Sequence, residues 1–252
     1  MKLSQRLQRI MEQIPAGSKL ADIGSDHALL PVAAIQSGTV VRAVAGEVNT
    51  GPYEAALKQV AAAGLQNSIQ VRKGDGLEVV QPGEVDVITI AGMGGALIAS
   101  ILDRGLDKLE GVQQLVLQPN VGEDILRSWL IEHDWVLVHE QILEEDGKIY
   151  EILTAIPAAV SPLAQEELYR PRPLQENVIL TRELLIAMGP YLVDRPNAVF
   201  HTKWREEIGK LQGIIAQLSR SDLDSAREKA DEIRERIQRI EEVLLCLQKD
   251  RP

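Results

Sequence analysis

Four short segments of the chain carry residue types that could bind a small charged ligand. Each follows an apolar run that is typical of a buried strand. In doubly wound sheets, ligands bind beyond the carboxyl ends of the strands, where the strand order reverses. The spacing therefore predicts one shared ligand site, formed by Asp22-Ile23-Gly24-Ser25-Asp26-His27, Glu47, Asp75-Gly76 and Ala91-Gly92-Met93-Gly94-Gly95.

The first segment departs from the glycine pattern of dinucleotide-binding proteins. In G-x-G-x-x-G, the second glycine lets the backbone approach a pyrophosphate. Here Asp26 stands at that position, and its carboxylate would repel a pyrophosphate. A cationic ligand suits the site better, and S-adenosylmethionine carries a sulfonium. We therefore predict a site of the methyltransferase type.

Individual residues of these segments match the parts of S-adenosylmethionine. Glu47 ends the second apolar run, where an acidic residue commonly holds ribose hydroxyls. Asp75 can accept a hydrogen bond from the adenine amino group, and Gly76 permits close approach of the ligand. Each residue alone could equally be a cap or a turn residue. The predicted cofactor contacts are Asp22, Gly24, Ser25, His27, Glu47, Asp75, Gly76, Ala91, Gly92 and Met93.

The elements that must position these residues alternate between strands and helices. We predict strands over 19–23, 40–46, 69–72, 85–90 and 115–118, with helices up to 37 and over 52–63, 96–102 and 123–132. This alternation is typical of a mostly parallel sheet covered on both faces. Two further runs, 135–143 and 148–156, flank Asp146-Gly147 and predict an antiparallel hairpin at the sheet edge.

Beyond residue 160 the apolar period becomes helical. Apolar residues recur at steps of three and four from Trp204 to Leu218 and again from Leu223 to Leu247. Such seams are typical of two helices that pack against each other, so we predict a coiled-coil hairpin. We place the domain boundary here, with a ligand-binding α/β domain over 1–160 and a helical domain over 161–252.

The composition excludes several classes of protein. With a net charge of −10 and 3% aromatic residues, the 252-residue chain is neither uniformly basic nor able to grip RNA mainly by stacking. A single cysteine, Cys246, and histidines without ligand spacing give no reason to expect a disulfide or a metal site. We find no signal peptide and no apolar stretch of about 18 residues that could cross a membrane. We therefore expect a cytoplasmic protein.

Several motifs together resemble the bacterial tRNA adenine-N1 methyltransferases that act on adenine 22. They are DIGSDH at 22–27, GPYEAA at 51–56, GDGL at 74–77, IAGMGG at 90–95, LQPN at 117–120 and MGPYL at 188–192. The resemblance covers nearly the whole chain. It implies a class I methyltransferase fold with a Rossmann-like doubly wound sheet, S-adenosylmethionine as methyl donor, and tRNA as substrate. The chain departs from the family at Leu29 and Leu30, where an aromatic residue is common.

The implied reaction gives catalytic roles to Asp26 and Asn120. Adenine N1 lies on the base-pairing edge, so the target base must leave its stack. A carboxylate that accepts a hydrogen bond from the 6-amino group would stabilise the positive charge that develops on the base. We assign this role to Asp26, and Asn120 could bond the same base edge. Alternatively, Asp26 caps the helix entering at Ala28 and Asn120 caps the helix near Gly122.

An RNA substrate requires local basic residues on so acidic a chain. The excess of acid lies mainly in the first domain, and the helical domain is close to neutral. The helical hairpin could follow a tRNA arm, contact a protein or pair with a second copy, so monomer and homodimer both remain open. Two other functions also remain open: a methyltransferase acting on a protein or small molecule, and a non-catalytic tRNA-binding scaffold. The predicted RNA contacts are Arg6, Arg9, Arg170, Arg172, Lys203 and Arg205.

Overall fold

A computed structural model of the chain describes residues 3–175, 178–220 and 223–249. The chain divides into two compact units, Met1–Gln165 and Glu166–Pro252. The first unit contains a seven-stranded sheet with helices, and the second is mainly helical. Within the described residues, no helix has both the length and the apolar character needed to cross a bilayer.

The sheet of the first unit has the strand order β3-β2-β1-β4-β5-β7-β6. Strands β1 to β5 pair in parallel, whereas β7 runs antiparallel to both β5 and β6. The order reverses between β1 and β4, which is where doubly wound sheets bind ligands. The strands are β1 Ser18–Ile23, β2 Val40–Glu47, β3 Ile69–Lys73, β4 Val87–Gly94, β5 Gln114–Val121, β6 Trp135–Glu145 and β7 Lys148–Pro157.

The α-helices of this unit are α1 Gln5–Met11, α2 Leu29–Gln36, α3 Thr50–Ala62, α4 Gly95–Arg104 and α5 Glu123–Glu132. Helix α1 precedes β1, and the other four helices of this unit follow β1, β2, β4 and β5, as the alternating pattern predicts. The central strands are almost entirely buried apolar runs, because helices cover both faces of a parallel sheet. The predicted doubly wound α/β sheet is confirmed.

Strands β4 and β5 continue further than their apolar runs predict. The expected ends were 90 and 118, but pairing continues to Gly94 and Val121. The register shifts between Ala91 and Met93, and the skipped residue, Gly92, has a φ of 78°. This is the geometry of a β-bulge, which preserves pairing while redirecting the strand end.

The antiparallel hairpin β6–β7 forms at the predicted edge of the sheet. Its two-residue turn is Asp146-Gly147, with both φ angles positive, as a type I′ turn requires. The fully buried guanidinium of Arg127, on α5, pairs with the buried carboxylates of Glu140 on β6 and Glu151 on β7. Helix α5 is thereby tied to both strands of the hairpin.

The second unit is dominated by two long helices that pack against each other. It contains α6 Gln165–Leu168, which starts at the unit boundary, β8 Arg172–Gln175, β9 Val178–Leu180, α7 Arg182–Met188, α8 Pro190–Asp194, α9 Ala198–Leu218 and α10 Asp224–Lys249. Most residues of the predicted apolar seams are buried, among them Trp204, Leu211 and Ile240, whereas Leu223 is exposed. The short β8–β9 pair was not predicted.

Candidate active site

Asp22 lies near the carboxyl end of β1, next to the point where the strand order reverses. Its side chain is buried, and one carboxylate oxygen accepts a 2.6 Å hydrogen bond from the Ser25 hydroxyl. The other oxygen accepts a 2.5 Å bond from the Thr89 hydroxyl on β4. Burial raises the pKa of the Asp22 carboxyl, and the two hydroxyls and the charge of Arg6 partly oppose this. Asp22 is therefore a rigidly held negative group at the reversal point.

Glu47 ends β2 and is also buried, with 6% of its surface exposed. It accepts a hydrogen bond from the backbone N–H of Asp26, which ties the end of β2 to the loop after β1. Burial raises the pKa of its carboxyl, and the charges of Asp22 and Asp26 raise it further. The Oε1 atom of Glu47 has no hydrogen-bond partner among the described residues. A buried acceptor without a donor fits a ligand hydroxyl, as the ribose contact requires.

The loop between β1 and α2 holds three consecutive non-glycine residues in the left-handed region. The φ angles of Asp26, His27 and Ala28 are 43°, 69° and 56°. Such a conformation costs roughly 1–2 kcal/mol per residue, so the surrounding structure must enforce it. Just before it, Gly24 has a φ of 68°, which favours glycine, and a Cβ there would lie 2.2 Å from Cε of Met93, so the methionine side chain would have to move.

The conformation of this loop separates the two roles considered for Asp26. Helix α2 starts at Leu29 with Ala28 at the N-cap, and no side chain caps it. Asp26 therefore does not act as the helix cap that the sequence also allowed. Its carboxylate is 83% exposed and lies 3.4 Å from Nε2 of His27. The Asp26 carboxylate, in the loop after β1, is therefore accessible as a hydrogen-bond acceptor.

Asp75 follows β3 and begins a 3-10 turn that includes Gly76. Its half-exposed carboxylate forms a 3.0 Å ion pair with Arg104 and also caps the turn in a capping box with Glu78. A Cβ at Gly76 would lie 2.9 Å from Cγ2 of Ile101, and its φ is 56°. Asp75 and Gly76 thus have structural roles alongside any contact with a ligand.

The ends of β4 and β5 are joined by the side chains of Gln118 and Asn120. Gln118 is fully buried, and its Oε1 accepts the backbone N–H of Gly92 at 3.1 Å. Asn120 donates from Nδ2 to the carbonyl of Gly92 at 2.7 Å. Helix α5 has Gly122 as its N-cap without a side-chain bond, so Asn120 does not cap it. The predicted residues Ala91, Gly92 and Met93 lie on this bulged strand end.

Helix α1 brings Arg6 to the same edge of the sheet. The guanidinium Nη1 donates to Oε1 of Gln118 at 2.6 Å, and its carbon lies 5.2 Å from the centre of the Tyr150 ring. The carboxylate of Glu145 accepts the backbone N–H groups of Gln5 and Arg6 at the start of the helix. Arg6 is consequently half-buried beside Gly92, whereas Arg9 on the same helix is exposed.

The other predicted RNA contacts have varied surroundings. Arg9 is exposed and forms a 3.0 Å ion pair with Glu12. Arg172 forms a 2.6 Å ion pair with Asp194 in the second unit. The remaining three are exposed or half-buried: Arg170, Lys203 and Arg205. Contact of these residues with RNA stays a prediction.

Three site residues escaped the sequence analysis, namely Thr89, Gln118 and Tyr150. Thr89 and Gln118 are polar residues inside apolar strands, and this interruption is a signal that could have identified both. Tyr150 gives no such signal, because its position depends on the antiparallel placement of β7 beside β5. None of the described residues form a group of three metal-ligand types that could hold a metal ion.

Comparison with known proteins decides the family. The model of the tRNA (adenine(22)-N(1))-methyltransferase family, TrmK, matches residues 20–242. The tRNA (adenine(22)-N(1))-methyltransferase of Bacillus subtilis (strain 168) is 44% identical over 245 residues, covering 97% of this chain and 98% of that protein. The chain belongs to this family. The predicted S-adenosylmethionine-dependent methylation of adenine N1 in tRNA, at position 22, is thereby confirmed.

Solved structures of TrmK proteins show the same fold. The crystal structure of B. subtilis TrmK has a TM-score of 0.86 at 43% identity, covering 96% of this chain and 99% of that one. A putative tRNA (m1A22) methyltransferase of Streptococcus pneumoniae, in complex with S-adenosyl-L-methionine, has a TM-score of 0.79 at 39% identity, covering 96% and 100%. The class I methyltransferase fold implied by the motifs is confirmed.

Proposed function

We propose that this TrmK family member acts in the cytoplasm and uses the carboxyl edge of β1–β5 to hold the methyl donor and the target adenine of tRNA side by side. The observation that carries this proposal is the buried Oε1 of Glu47, at the carboxyl end of β2, which has no hydrogen-bond donor among the described residues. Asp22, Asp26 and Glu47 make the edge negative, which suits a sulfonium. The bound cofactor supplies an electrophilic methyl group.

The cofactor contacts follow the order of the strands. Glu47 accepts hydrogen bonds from the ribose hydroxyls, and Asp75 accepts one from the adenine amino group. Asp22 is fixed by Ser25 and Thr89, so it presents its charge without rearrangement. Such preorganisation lowers the cost of binding. The remaining proposed contacts are Gly24, Ser25, His27, Gly76, Ala91, Gly92 and Met93.

Asp26 is the proposed catalytic group. Its carboxylate is exposed and free of a capping role, so it can accept a hydrogen bond from the 6-amino group of a flipped adenine. As N1 attacks the methyl carbon, the carbon–sulfur bond breaks and S-adenosylhomocysteine leaves with the electron pair. The positive charge passes from sulfur to the base, and a carboxylate on its 6-amino group stabilises that charge. The hydrogen bond from the backbone N–H of Asp26 to the Glu47 carboxylate holds Asp26 at a fixed position relative to the proposed ribose contact.

Asn120 is proposed to position the base from the opposite side. Its Nδ2 is held by the Gly92 carbonyl, and Gln118 donates to its Oδ1 at 3.3 Å. The orientation of the carboxamide is therefore fixed before the substrate arrives. Alignment of N1 with the methyl carbon and sulfur contributes to the rate, because it removes the cost of orienting two reactants.

The second unit is the proposed tRNA-contacting part. We keep the assignment of 1–160 to cofactor binding and chemistry and of 161–252 to contact with tRNA. The proposed phosphate contacts are Arg6 and Arg9 on α1 and, in the second unit, Arg170, Arg172, Lys203 and Arg205, and their contribution would appear as a decrease of affinity with salt. Monomer and homodimer are both compatible with this assignment.

The deciding experiment incubates the protein with labelled S-adenosylmethionine and unmodified tRNA and identifies the methylated nucleoside. We expect 1-methyladenosine, and none with a tRNA that carries guanine at position 22. Asp26→Asn should lower the rate about 100-fold or more, because one preorganised charge is lost, while cofactor binding persists. Full activity of this variant would remove Asp26 from the mechanism.

Two other outcomes would identify the alternative functions. Cofactor binding with no methylation of any tRNA, but transfer to a protein or small molecule, would indicate another substrate class. Binding of tRNA without measurable binding of S-adenosylmethionine would indicate a scaffold.

A further inference from the structure

A cavity of about 300 Å³ lies at the amino-terminal ends of β1, β2 and β3, at the opposite end of these strands from the candidate active site. Ligand sites in proteins span roughly 300–1,000 Å³, so its size suits a small molecule. We call it the amino-edge cavity. Its lining includes Lys19 on β1, Arg42 and Val44 on β2, Gln70 on β3 and Glu84 in the segment before β4.

Strand pairing places four of these side chains on one face of the sheet. Lys19 pairs with Arg42, and Val44 pairs with Gln70. Paired residues of neighbouring parallel strands point to the same side, as do residues two apart along one strand. Lys19 and Arg42 are therefore direct neighbours on strands about 4.8 Å apart, and Val44 and Gln70 follow them on the same face.

The two cationic side chains have no carboxylate partner. Both are exposed, and neither forms an ion pair with any of the described residues. The carboxylate of Asp86 accepts the backbone N–H of Lys19 at 2.8 Å, so it serves the main chain. Like charges directly opposite each other on neighbouring strands are destabilising. An anion bound between Lys19 and Arg42 would remove this repulsion.

The acidic residue of the cavity is already neutralised. The carboxylate of Glu84 accepts two hydrogen bonds from the guanidinium of Arg72, at 2.8 and 2.5 Å, and this pairing lowers the pKa of Glu84. Arg72 also donates to Oε1 of Gln70, from Nε at 3.2 Å and from Nη2 at 2.6 Å. The amide Nε2 of Gln70 has no acceptor among the described residues, so it remains a donor for a ligand.

The rest of the lining contains apolar residues. Leu20, Ala43, Val44 and Val85 contribute to it. A phosphate ion would use the two cations but not this apolar surface. A nucleotide uses both, because it combines an anionic phosphate with a planar base.

We propose that the amino-edge cavity binds a nucleotide, with its phosphate on Lys19 and Arg42 and an acceptor of its base at Nε2 of Gln70. Arginine binds phosphate through its planar fork, and lysine adds a point charge. The nucleotide is either free or part of an RNA chain, since the chemistry of recognition is the same. The cavity shares no lining residue with the proposed cofactor contacts, so this site is separate from the cofactor edge.

The test compares inosine 5′-monophosphate with inosine, which differ only in the phosphate. Their base has the acceptors O6 and N7, as guanine does, and lacks the 6-amino group of adenine. Saturating S-adenosylhomocysteine keeps the cofactor site occupied. In calorimetry, the wild-type protein should prefer the monophosphate by about tenfold to a hundredfold, the range of a charged hydrogen-bonded pair. Lys19→Gln combined with Arg42→Gln should abolish this preference and leave the affinity for inosine unchanged.

Lys148→Gln combined with Arg236→Gln is the matched control. It removes the same two charges from exposed residues outside the cavity, one on β7 and one on α10. This variant should retain the wild-type preference for the monophosphate.

Urea denaturation without nucleotide gives a second measurement. The variant at Lys19 and Arg42 should be no less stable than the wild type, because the repulsion between the two cations is removed. A loss of stability in this variant would contradict the repulsion on which the proposal depends.

The tRNA methylation assay identifies the source of the nucleotide. A raised KM for tRNA in the variant at Lys19 and Arg42, with unchanged affinity for S-adenosylmethionine, would identify a nucleotide of the tRNA chain. An unchanged KM together with the lost preference for the monophosphate would identify a free nucleotide. Both results support the proposal.

Three results would overturn it. The first is no binding of inosine 5′-monophosphate to the wild-type protein at millimolar concentration. The second is equal affinity of the wild-type protein for the two ligands. The third is an equal loss of preference in the control variant, which would indicate a general effect of charge.

Discussion

The cofactor edge around Asp22 and Glu47 and the hairpin region around Glu140 and Glu151 both bury carboxylates, but they compensate them differently. In the hairpin region, Arg127 pairs with both glutamates, and all three side chains have no exposed surface. At the cofactor edge, among the described residues, Asp22 and Glu47 receive hydrogen bonds from hydroxyls and a backbone N–H but form no ion pair. The first region pairs its carboxylates with a cation of the chain, whereas the described residues of the second supply no such ion pair.

The backbone shows the same contrast. In the hairpin, positive φ angles occur at Asp146-Gly147, where the type I′ turn requires them and glycine takes one at little cost. At the cofactor edge, Asp26, His27 and Ala28 take them without any glycine. The backbone conformation of the hairpin turn therefore costs little free energy, whereas that of the loop at the cofactor edge lowers stability, as is common at binding sites.

The largest effect on stability is expected when the hairpin region loses Arg127. Arg127→Met would remove the guanidinium that pairs with two buried carboxylates and should lower the free energy of unfolding by about 3–5 kcal/mol, measured by urea denaturation. The control is the same substitution with Glu140→Gln and Glu151→Gln, which removes the orphaned charges and should recover most of the loss. A small effect of Arg127→Met alone would contradict the comparison.

A substitution at the cofactor edge should change the affinity for the cofactor rather than the free energy of unfolding. Glu47→Gln removes the buried charge, so cofactor affinity should fall about tenfold to a hundredfold, since a hydrogen bond to a charged group is lost. The free energy of unfolding should stay within about 1 kcal/mol of the wild-type value, because the fold no longer buries an unpaired charge. Calorimetry and urea denaturation measure the two quantities. A large loss of stability would show that Glu47 is structural.

The left-handed loop can be tested with two fully buried alanines. Ala28 in the loop and Ala56 in α3 have no exposed surface. Replacement by glycine removes a buried methyl group from both, but it relieves backbone strain only at Ala28. Ala56→Gly should therefore be more destabilising than Ala28→Gly by about 1–2 kcal/mol. Equal effects would mean that the loop is not strained.

The smallest effect is the dependence of stability on pH. The pKa values of Asp22 and Glu47 are raised in the fold, so the folded protein binds their protons more tightly than the unfolded chain. Their contribution to stability is present at low pH and is lost as pH rises through the raised values. Glu84, whose pKa is lowered by Arg72, contributes in the opposite sense and loses its contribution as pH falls.

Unfolding curves from about pH 3 to 7, a range that extends below and above the ordinary carboxyl pKa values, measure this difference. Asp22→Asn should become more stable relative to the wild type as pH rises. Glu84→Gln should become less stable relative to the wild type over the same range. If the stability of both variants relative to the wild type changed in the same direction as pH rises, the comparison would be contradicted.

The sheet was predictable from the sequence because its strands are apolar runs between helical patterns. The strands reach furthest beyond their predicted ends at β4 and β5, where the Gly92 bulge preserves pairing beyond the apolar residues. The β8–β9 pair was missed because its strands are short and one contains Pro173, which interrupts a strand pattern.

The positions of the site's acidic residues were also predictable, because Asp22, Glu47 and Asp75 follow apolar strand runs. The inward position of Arg6 was not, since its spacing on α1 suits an exposed stripe equally well. Only the contact with Gln118, 112 residues later in the chain, determines it. Pairing between distant side chains leaves no local pattern to read, and the same holds for Arg127 with Glu151.

The capping of α1 by Glu145 makes this helix dependent on a distant part of the chain. A helix of seven residues does not persist alone in water, and α1 has no acidic residue in its own first turn. The N–H groups of Gln5 and Arg6 are therefore satisfied by a carboxylate that lies 140 residues after Gln5 in the chain. The position of Arg6 thus depends on the β6–β7 hairpin, which supplies Glu145 to the start of α1.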